Sequence, residues 1–410
     1  MKMYQSAASM FKNKKVLILG FGREGMSTYR FLRNMYPDMH LTIADKNEIK
    51  LDDKNVTLIC GDSYMDSLND FDIVMKSPGI AFLDVDIKDG TLVTCQTDLF
   101  LKFAPCRKVG ITGSKGKTTT STLIYDMLKE GGFDARLIGN IGVPVLEDIN
   151  TVTPETIAVI EMSSHQLEFT TSSPEVAVLT NIYEEHLDHY RDGFRGYVNA
   201  KLNIVRRQKE SDTFIYNATQ GLDGLCDLDK IKSHKVGVKK DAPLPFAVNN
   251  EHLLGEHNRQ DILFAFEAAK HFGVDTAAAE RAVEKFSGIE HRMEKVGTFR
   301  GITFYNDCIA TIPHAVECAV EALKNVDTLI FGGMDRGLDY SEFENYLKKS
   351  NIKNLIGTPE TGHKICDKIE GAPSKNVYKA ANLDEAVKKA YEVTEKGKIC
   401  LLSPAASSYN

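Results

Sequence analysis

Several common signatures are missing from this chain, and each gap narrows what it can be. Its eight cysteines (60, 95, 106, 226, 308, 318, 366 and 400) form no Cys-x-x-Cys pair and no zinc-like spacing. They read as reduced thiols of a cytosolic enzyme rather than a disulfide framework or a structural metal site. No window approaches the length of a membrane span. Met1 to Lys15 carries lysines but no apolar stretch of signal-peptide length. A cytoplasmic protein without membrane attachment is expected. A basic excess is also missing: the net charge is −7, which argues against non-specific nucleic-acid binding. With 410 residues, 42% of them apolar and 26% charged, the chain is an ordinary globular one of two or three domains.

What is present centres on Val109 to Thr120. A β-branched run leads into Gly113-Ser114-Lys115-Gly116-Lys117-Thr118-Thr119, and an amphipathic helix is predicted over 120–129, stopped by Gly131-Gly132. This is the layout of a phosphate-binding loop. Glycines let backbone N–H groups face an anion, the helix start adds its positive dipole end, and Lys117 reaches the outer phosphates. Thr118 offers a hydroxyl to magnesium. The spacing departs from the general pattern, because Gly113 to Gly116 leaves two residues where four are usual.

Upstream, the buried-strand pattern Lys15 to Leu19 runs into Gly20-Phe21-Gly22-Arg23-Glu24-Gly25, followed by a helix predicted over 26–35. The next strand, Leu41 to Ala44, ends on Asp45, twenty residues past Gly25. That matches the dinucleotide fingerprint and makes a dehydrogenase the first rival. A UDP-linked substrate satisfies the same turn, and no hydride-transfer residue follows. Lys76-Ser77-Pro78-Gly79-Ile80 is a second turn at a strand's carboxyl end, where ligands bind in such sheets. Further on, Ile157 to Ile160 ends on Glu161, an acid at a strand tip suited to anchor magnesium. Val176 to Ile182 is another buried strand, and Lys201 lies on a helix predicted over 194–205.

These pieces occur together and in order. Gly-x-x-Gly-Lys-Thr, Gly-Asn-Ile-Gly (139–142), Glu-Met-Ser-Ser-His-Gln-Leu-Glu (161–168), Thr-Asn-Ile-x-x-x-His-Leu-Asp (180–188) and Ala-Lys (200–201) resemble the ATP domain of the Mur ligases, which build the peptide stem of bacterial peptidoglycan. The short glycine loop is that family's own variant. With Leu19 to Gly22 and Ser77-Pro78-Gly79, the resemblance is to the D-glutamate-adding members. It implies an α/β protein of three domains: a Rossmann-like domain for the UDP substrate (1–96), a central P-loop domain for ATP (97–288) and a C-terminal Rossmann-like domain for the incoming amino acid (289–410).

Carried over by residue, the resemblance implies that Gly113 to Thr119 hold ATP phosphates and that Thr118 and Glu161 share one magnesium. Asn140 lies near the transferred phosphate. His186 and Lys201, carbamylated by carbon dioxide, hold a second magnesium. Gly22, Arg23, Glu24, Asp45, Lys46, Ser77, Pro78, Gly79, Ser163 and Gln166 face the UDP-N-acetylmuramoyl-L-alanine substrate. Asn258 sits against the adenine side, Arg292 reaches ATP phosphate from the third domain, and Asp307 meets the ribose. Thr311, Arg336, Ser407 and Ser408 are expected around D-glutamate, Arg336 because a guanidinium grips a carboxylate with two parallel hydrogen bonds.

The chain departs from the family at His165, where Phe is usual, and at Cys308 and Ile309, which replace Ser and Lys. The family's chains continue past Asn410 into a phenylalanine-bearing stretch and a final helix, so this chain is expected to end early. The expected activity is ATP-dependent ligation of D-glutamate by a monomer. The alternatives are a sister ligase such as a folylpolyglutamate synthase-like enzyme, or an inactive homologue that binds a partner.

Overall fold

The computed structural model describes residues 7, 9–141, 144–147, 149, 151–253, 255–335 and 338–406. The chain divides into two compact units, Met1–Asn249 with Glu256–Phe286, and Asn250–Gly255 with Ser287–Asn410.

The larger unit contains two parallel sheets. In the first, β1 (Val16–Leu19), β2 (Leu41–Asp45), β3 (Val56–Cys60), β4 (Ile73–Lys76) and β5 (Leu92–Thr94) lie in the order β3-β2-β1-β4-β5. Every residue of β1 and β4 is buried, as parallel strands covered on both faces require. The chain reverses its direction of sheet growth between β1 and β4, and open parallel sheets bind ligands outside the strand ends at such a point. Both turns singled out in the sequence, 20–25 and 77–79, emerge there. Helix α1 (Arg23–Met35) follows the first of them.

The second sheet comprises β6 (Arg107–Thr112), β7 (Ala135–Gly139), β8 (Ile157–Glu161), β9 (Val176–Leu179), β10 (Thr213–Asn217) and β11 (His234–Val238), ordered β11-β10-β9-β6-β8-β7. Its helices are α2 (Gln96–Phe103), just before β6, then α3 (Lys117–Glu130), α4 (Gly193–Arg206), α5 (Glu256–His271) and α6 (Thr276–Lys285). Strand β6 lies between β8 and β9, with Ile111 opposite Glu161 and Thr112 opposite Leu179. The phosphate-loop segment, the Glu161 segment and the 180–190 segment therefore leave the sheet side by side.

Several boundaries differ from those predicted. Helix α1 begins at Arg23 rather than 26, and α3 begins at Lys117 rather than 120. In both, a glycine is the N-cap, and Gly116 takes a left-handed conformation (φ 81°) that lets the helix start at once. Strand β9 stops at Leu179, short of Ile182. Asn181 turns toward the phosphate loop, and the Ile182 N–H is taken by the Gln220 side chain (2.9 Å).

The smaller unit has one sheet: β12 (Glu294–Phe299), β13 (Ile302–Asn306), β14 (Val326–Phe331), β15 (Asn354–Gly357), β16 (Asn376–Lys379) and β17 (Ile399–Leu402), ordered β12-β13-β17-β14-β15-β16. Strand β12 runs antiparallel to β13, and the remaining pairs run parallel. Helix α7 (Pro313–Leu323) has Pro313 in its first turn. Leu329, Phe331, Phe343, Leu347 and Leu355 form its core.

Candidate active site

The loop after β6 is built by its neighbours as much as by its glycines. Gly113 has φ 155°, and a Cβ there would lie 1.9 Å from the Thr180 hydroxyl, so a side chain is excluded. The Thr180 hydroxyl donates to the Lys115 carbonyl (2.6 Å), and Asn181 both accepts from the Lys115 N–H (2.8 Å) and donates to its carbonyl (3.1 Å). The Ser114 hydroxyl donates to the Tyr183 carbonyl (3.1 Å) and lies 2.7 Å from the Tyr197 hydroxyl. Lys115 pairs with Glu185 at 2.5 Å. Thr118, Thr119 and Thr120 are buried in the first turn of α3. These contacts fix a backbone cradle of the kind that accepts phosphate oxygens.

Two lysines converge on one carbonyl of this loop. Lys117 Nζ donates to Gly113 O (2.9 Å) and Ser114 O (3.0 Å), and Lys201 Nζ, reaching in from α4, donates to Gly113 O (2.8 Å). Lys201 is only 2% exposed and lies over the Tyr197 ring, 4.6 Å from its centre. Burial, reinforced by the charge of Lys117, holds its pKa well below the ordinary 10.5. Its amine is an interior group rather than a solvated one.

Glu161, at the tip of β8, is 1% exposed. Its Oε1 accepts from the Asn140 amide (2.7 Å), while its Oε2 is buried with no hydrogen-bond partner among the described residues. A buried carboxylate oxygen left unpaired costs several kcal/mol unless a cation or donor meets it. A carboxylate oxygen is a hard donor of the kind that fits magnesium.

His186 adopts a left-handed conformation (φ 53°) ahead of a short 3-10 turn, Leu187–His189. Burial lowers its pKa, so its imidazole is neutral and can donate a lone pair. Its ring lies 4.8 Å from that of His165. Among the described residues, no group of three or more His, Cys, Asp or Glu side chains is arranged as a metal site. Any second cation therefore needs a further ligand, and Lys201 is suitable only once its amine has been converted to an anion.

The first sheet meets the second through residues that the sequence had marked. Gln166 donates to Glu24 Oε1 (2.8 Å), and Ser163 and Gln166 form a reciprocal capping box on the turn Ser164–Leu167. Ser77 donates to the Gly20 carbonyl (3.0 Å), joining the two turns at the switch point. Asp45 accepts from the Phe21 N–H (2.6 Å) and the Asn47 N–H (2.8 Å), so its carboxylate holds the glycine turn in place. Gly22, Arg23, Lys46 and Gly79 are exposed and Pro78 is half-buried at the same strand ends. A network absent from the sequence reading also lies here. Buried Lys76 pairs with Glu168 at 3.1 Å, and Glu168 in turn meets His189 at 3.4 Å. The signal for it was an acid seven residues after Glu161 and a lysine directly before Ser77.

Asn258 is buried on α5, in the larger unit. In the smaller unit, Asp307 accepts from the Ser403 hydroxyl (2.8 Å) and the Met293 N–H (3.1 Å), and burial raises its pKa. Arg292 is close enough to lower that pKa in part. Thr311 is exposed ahead of α7. Arg336, Ser407 and Ser408 lie outside the described residues.

A glycine loop that opens a helix after a buried parallel strand, with a strand-tip carboxylate and a buried lysine beside it, defines a P-loop nucleotide-binding class on three α/β sheets. More narrowly, the chain belongs to the Mur ligase family. The Mur ligase middle domain matches residues 111–272, the Mur ligase glutamate ligase domain 291–406, and the MurD-like N-terminal domain 14–93. The chain is 33% identical over 432 residues to the UDP-N-acetylmuramoylalanine--D-glutamate ligase of Ligilactobacillus salivarius, covering 98% of this chain and 93% of that one. It is likewise 33% identical over 436 residues to the ligase of the same name from Clostridium kluyveri, covering 97% and 93%. Among solved structures, MurF ligase from Thermotoga maritima in complex with ADP shares the fold, with a TM-score of 0.60, 17% identity and coverage of 95% and 90%. No described helix is long and apolar enough to cross a membrane.

Proposed function

We propose that the chain joins D-glutamate to UDP-N-acetylmuramoyl-L-alanine in an ATP-dependent ligation of peptidoglycan precursor synthesis, acting as a cytoplasmic monomer. The observation that carries this reading is the meeting of Lys117 and Lys201 on the Gly113 carbonyl, beside the unpaired oxygen of Glu161. The substrate's terminal carboxylate attacks the γ-phosphorus of ATP, ADP leaves, and an acyl phosphate forms. The amine of D-glutamate then adds to the acyl carbon, and phosphate departs from the tetrahedral intermediate. Magnesium supplies charge neutralisation on the phosphate oxygens.

In this reading residues 1–96 bind the UDP substrate, 97–288 bind ATP and 289–410 bind the incoming amino acid. Gly113, Ser114, Lys115, Gly116 and Thr119 cradle phosphates, and Lys117 follows the charge that develops on the transferred group. Thr118 and Glu161 are assigned to one cation, and His186 and Lys201 to a second. The lowered pKa of Lys201 raises the share of neutral amine, whose lone pair can bond to the carbon of CO2 while the nitrogen gives up a proton. The product is an anionic carbamate, a hard oxygen ligand in place of a repelling ammonium. Asn140 lies on the phosphate side and Asn258 on the adenine side. Glu24, Ser77, Pro78, Gly79, Ser163 and Gln166, with Gly22, Arg23, Asp45 and Lys46, contribute the substrate's binding surface. In the smaller unit, Arg292 and Asp307 are assigned nucleotide contacts. Thr311, Arg336, Ser407 and Ser408 are assigned D-glutamate contacts.

The test is ADP release with UDP-N-acetylmuramoyl-L-alanine and each of D-glutamate, L-glutamate, L-alanine and L-lysine. Turnover restricted to D-glutamate is expected. Equal turnover with L-glutamate, or none with any acceptor, contradicts the assignment.

A further inference from the structure

His165 occupies a position that packing alone does not explain. Its Nε2 is buried and has no hydrogen-bond partner among the described residues. An unpaired buried nitrogen costs about 1–3 kcal/mol, so a native site keeps one where something else meets it. The ring is not loosely placed. His189 stacks on it, with ring centres 3.9 Å apart and planes tilted 32°. His189 is itself held by Glu168 (3.4 Å), and Glu168 by buried Lys76 (3.1 Å). His189, anchored in this way, covers one face of the His165 ring and fixes its orientation.

His165 also meets His186, with ring centres 4.8 Å apart and planes at 61°. Two imidazoles bound to one cation at nitrogen–metal distances near 2.1 Å, with an angle of about 90–110° between them, place their ring centres about 4.6–5.3 Å apart. The observed pair falls within that interval. His186 and Lys201 both lie against the Tyr197 ring, 6.4 Å and 4.6 Å from its centre, which brings Lys201 into the same neighbourhood.

We propose that His165 is a second imidazole ligand, beside His186, of the cation assigned to His186 and Lys201, and that it moves this site's preference from magnesium toward manganese or a similar borderline ion. This rests on the assignment of His186 and Lys201 made above. Magnesium takes oxygen donors almost without exception, whereas imidazole nitrogen favours first-row transition ions. The other proposed cation, held by Thr118 and Glu161, has oxygen donors from the protein. Nitrogen coupling to a bound ion therefore reports on the His186 site.

The test uses the full chain with ADP, bicarbonate and Mn2+, read by pulsed EPR for histidine nitrogen couplings. A parallel titration measures Mn2+ affinity relative to Mg2+. Two imidazole couplings are expected in the native chain and one in His165→Phe, with the Mn2+ to Mg2+ preference falling about tenfold or more. The melting temperature of the Phe variant should stay near native. If it does not, His165→Gln, which keeps polarity without an imidazole, takes its place in the same measurement. One coupling in both native and variant proteins, with an unchanged preference, overturns the role of His165 and leaves that of His186 standing. No nitrogen coupling in any protein overturns both.

Discussion

Replacing Lys201 separates its part in chemistry from its part in folding. In the unmodified chain its Nζ makes one hydrogen bond, to Gly113 O at 2.8 Å, and lies over the Tyr197 ring. A charged hydrogen bond of this kind contributes about 1.5–3 kcal/mol. Burying an ammonium costs several kcal/mol, and the strongly lowered pKa says that this cost prevails. Lys201→Met retains the volume and removes the ionisable group. It should leave folding stability within about 1 kcal/mol of native or slightly higher. Activity should behave differently. Loss of an anionic ligand that stabilises transferring phosphate is expected to lower kcat about 10²–10³-fold, equivalent to about 2.7–4 kcal/mol. Lys201→Ala should be as inactive but recover partly with added acetate, and the native enzyme should slow in degassed buffer. The pH dependence has a definite sign. In CO2-free buffer the unfolded chain binds a proton at Lys201 that the folded chain lacks, from the lowered pKa up to 10.5. Native stability therefore gains from this group as pH rises through that window, and Lys201→Met lacks the gain. Coupled ADP release and urea denaturation measure the two sides. Activity within threefold of native in both variants, with no response to carbon dioxide, refutes the reasoning.

Lys117→Ala should abolish detectable turnover while its melting temperature stays within a few degrees of native, checked by ADP release beside thermal unfolding. Glu161→Gln should raise the magnesium concentration needed for half-maximal activity by tenfold or more, read from a magnesium titration, because the unpaired oxygen loses its charge. Glu175 is a structural control away from the loop. Burial would raise its pKa, but hydrogen bonds from His271 (3.0 Å) and Arg107 (2.5 and 3.1 Å) win and hold it at about 2. Glu175→Gln should cost about 1–2 kcal/mol at pH 7 after allowance for solvent screening. That native advantage is complete above the ordinary 4.5 and is lost as pH falls through about 2, which urea titrations across that range will test.

The buried parallel strands were readable because they are near-continuous apolar runs, and Val16–Leu19 and Ile157–Glu161 lie within a residue of the predicted spans. Helix starts were less readable. A glycine N-cap leaves no side-chain mark, so Arg23 and Lys117 were placed in loops rather than at helix starts. The loop residues of the site were legible as motifs, but their support was not. The grip of Thr180 and Asn181 on Lys115, and the Lys76–Glu168–His189 chain, join segments far apart in sequence. No local period encodes such pairs. Lys201 shows the same limit: only the folded chain gives its near-complete burial.

The proposed path requires that the substrate's own carboxylate takes up phosphate before the amine attacks. UDP-N-acetylmuramoyl-L-alanine labelled with ¹⁸O in its terminal carboxylate tests this directly. If an acyl phosphate forms, the oxygen that attacked phosphorus departs with it, and the inorganic phosphate released with D-glutamate carries one ¹⁸O per turnover by mass spectrometry. Phosphate without label, alongside normal product formation, contradicts the account.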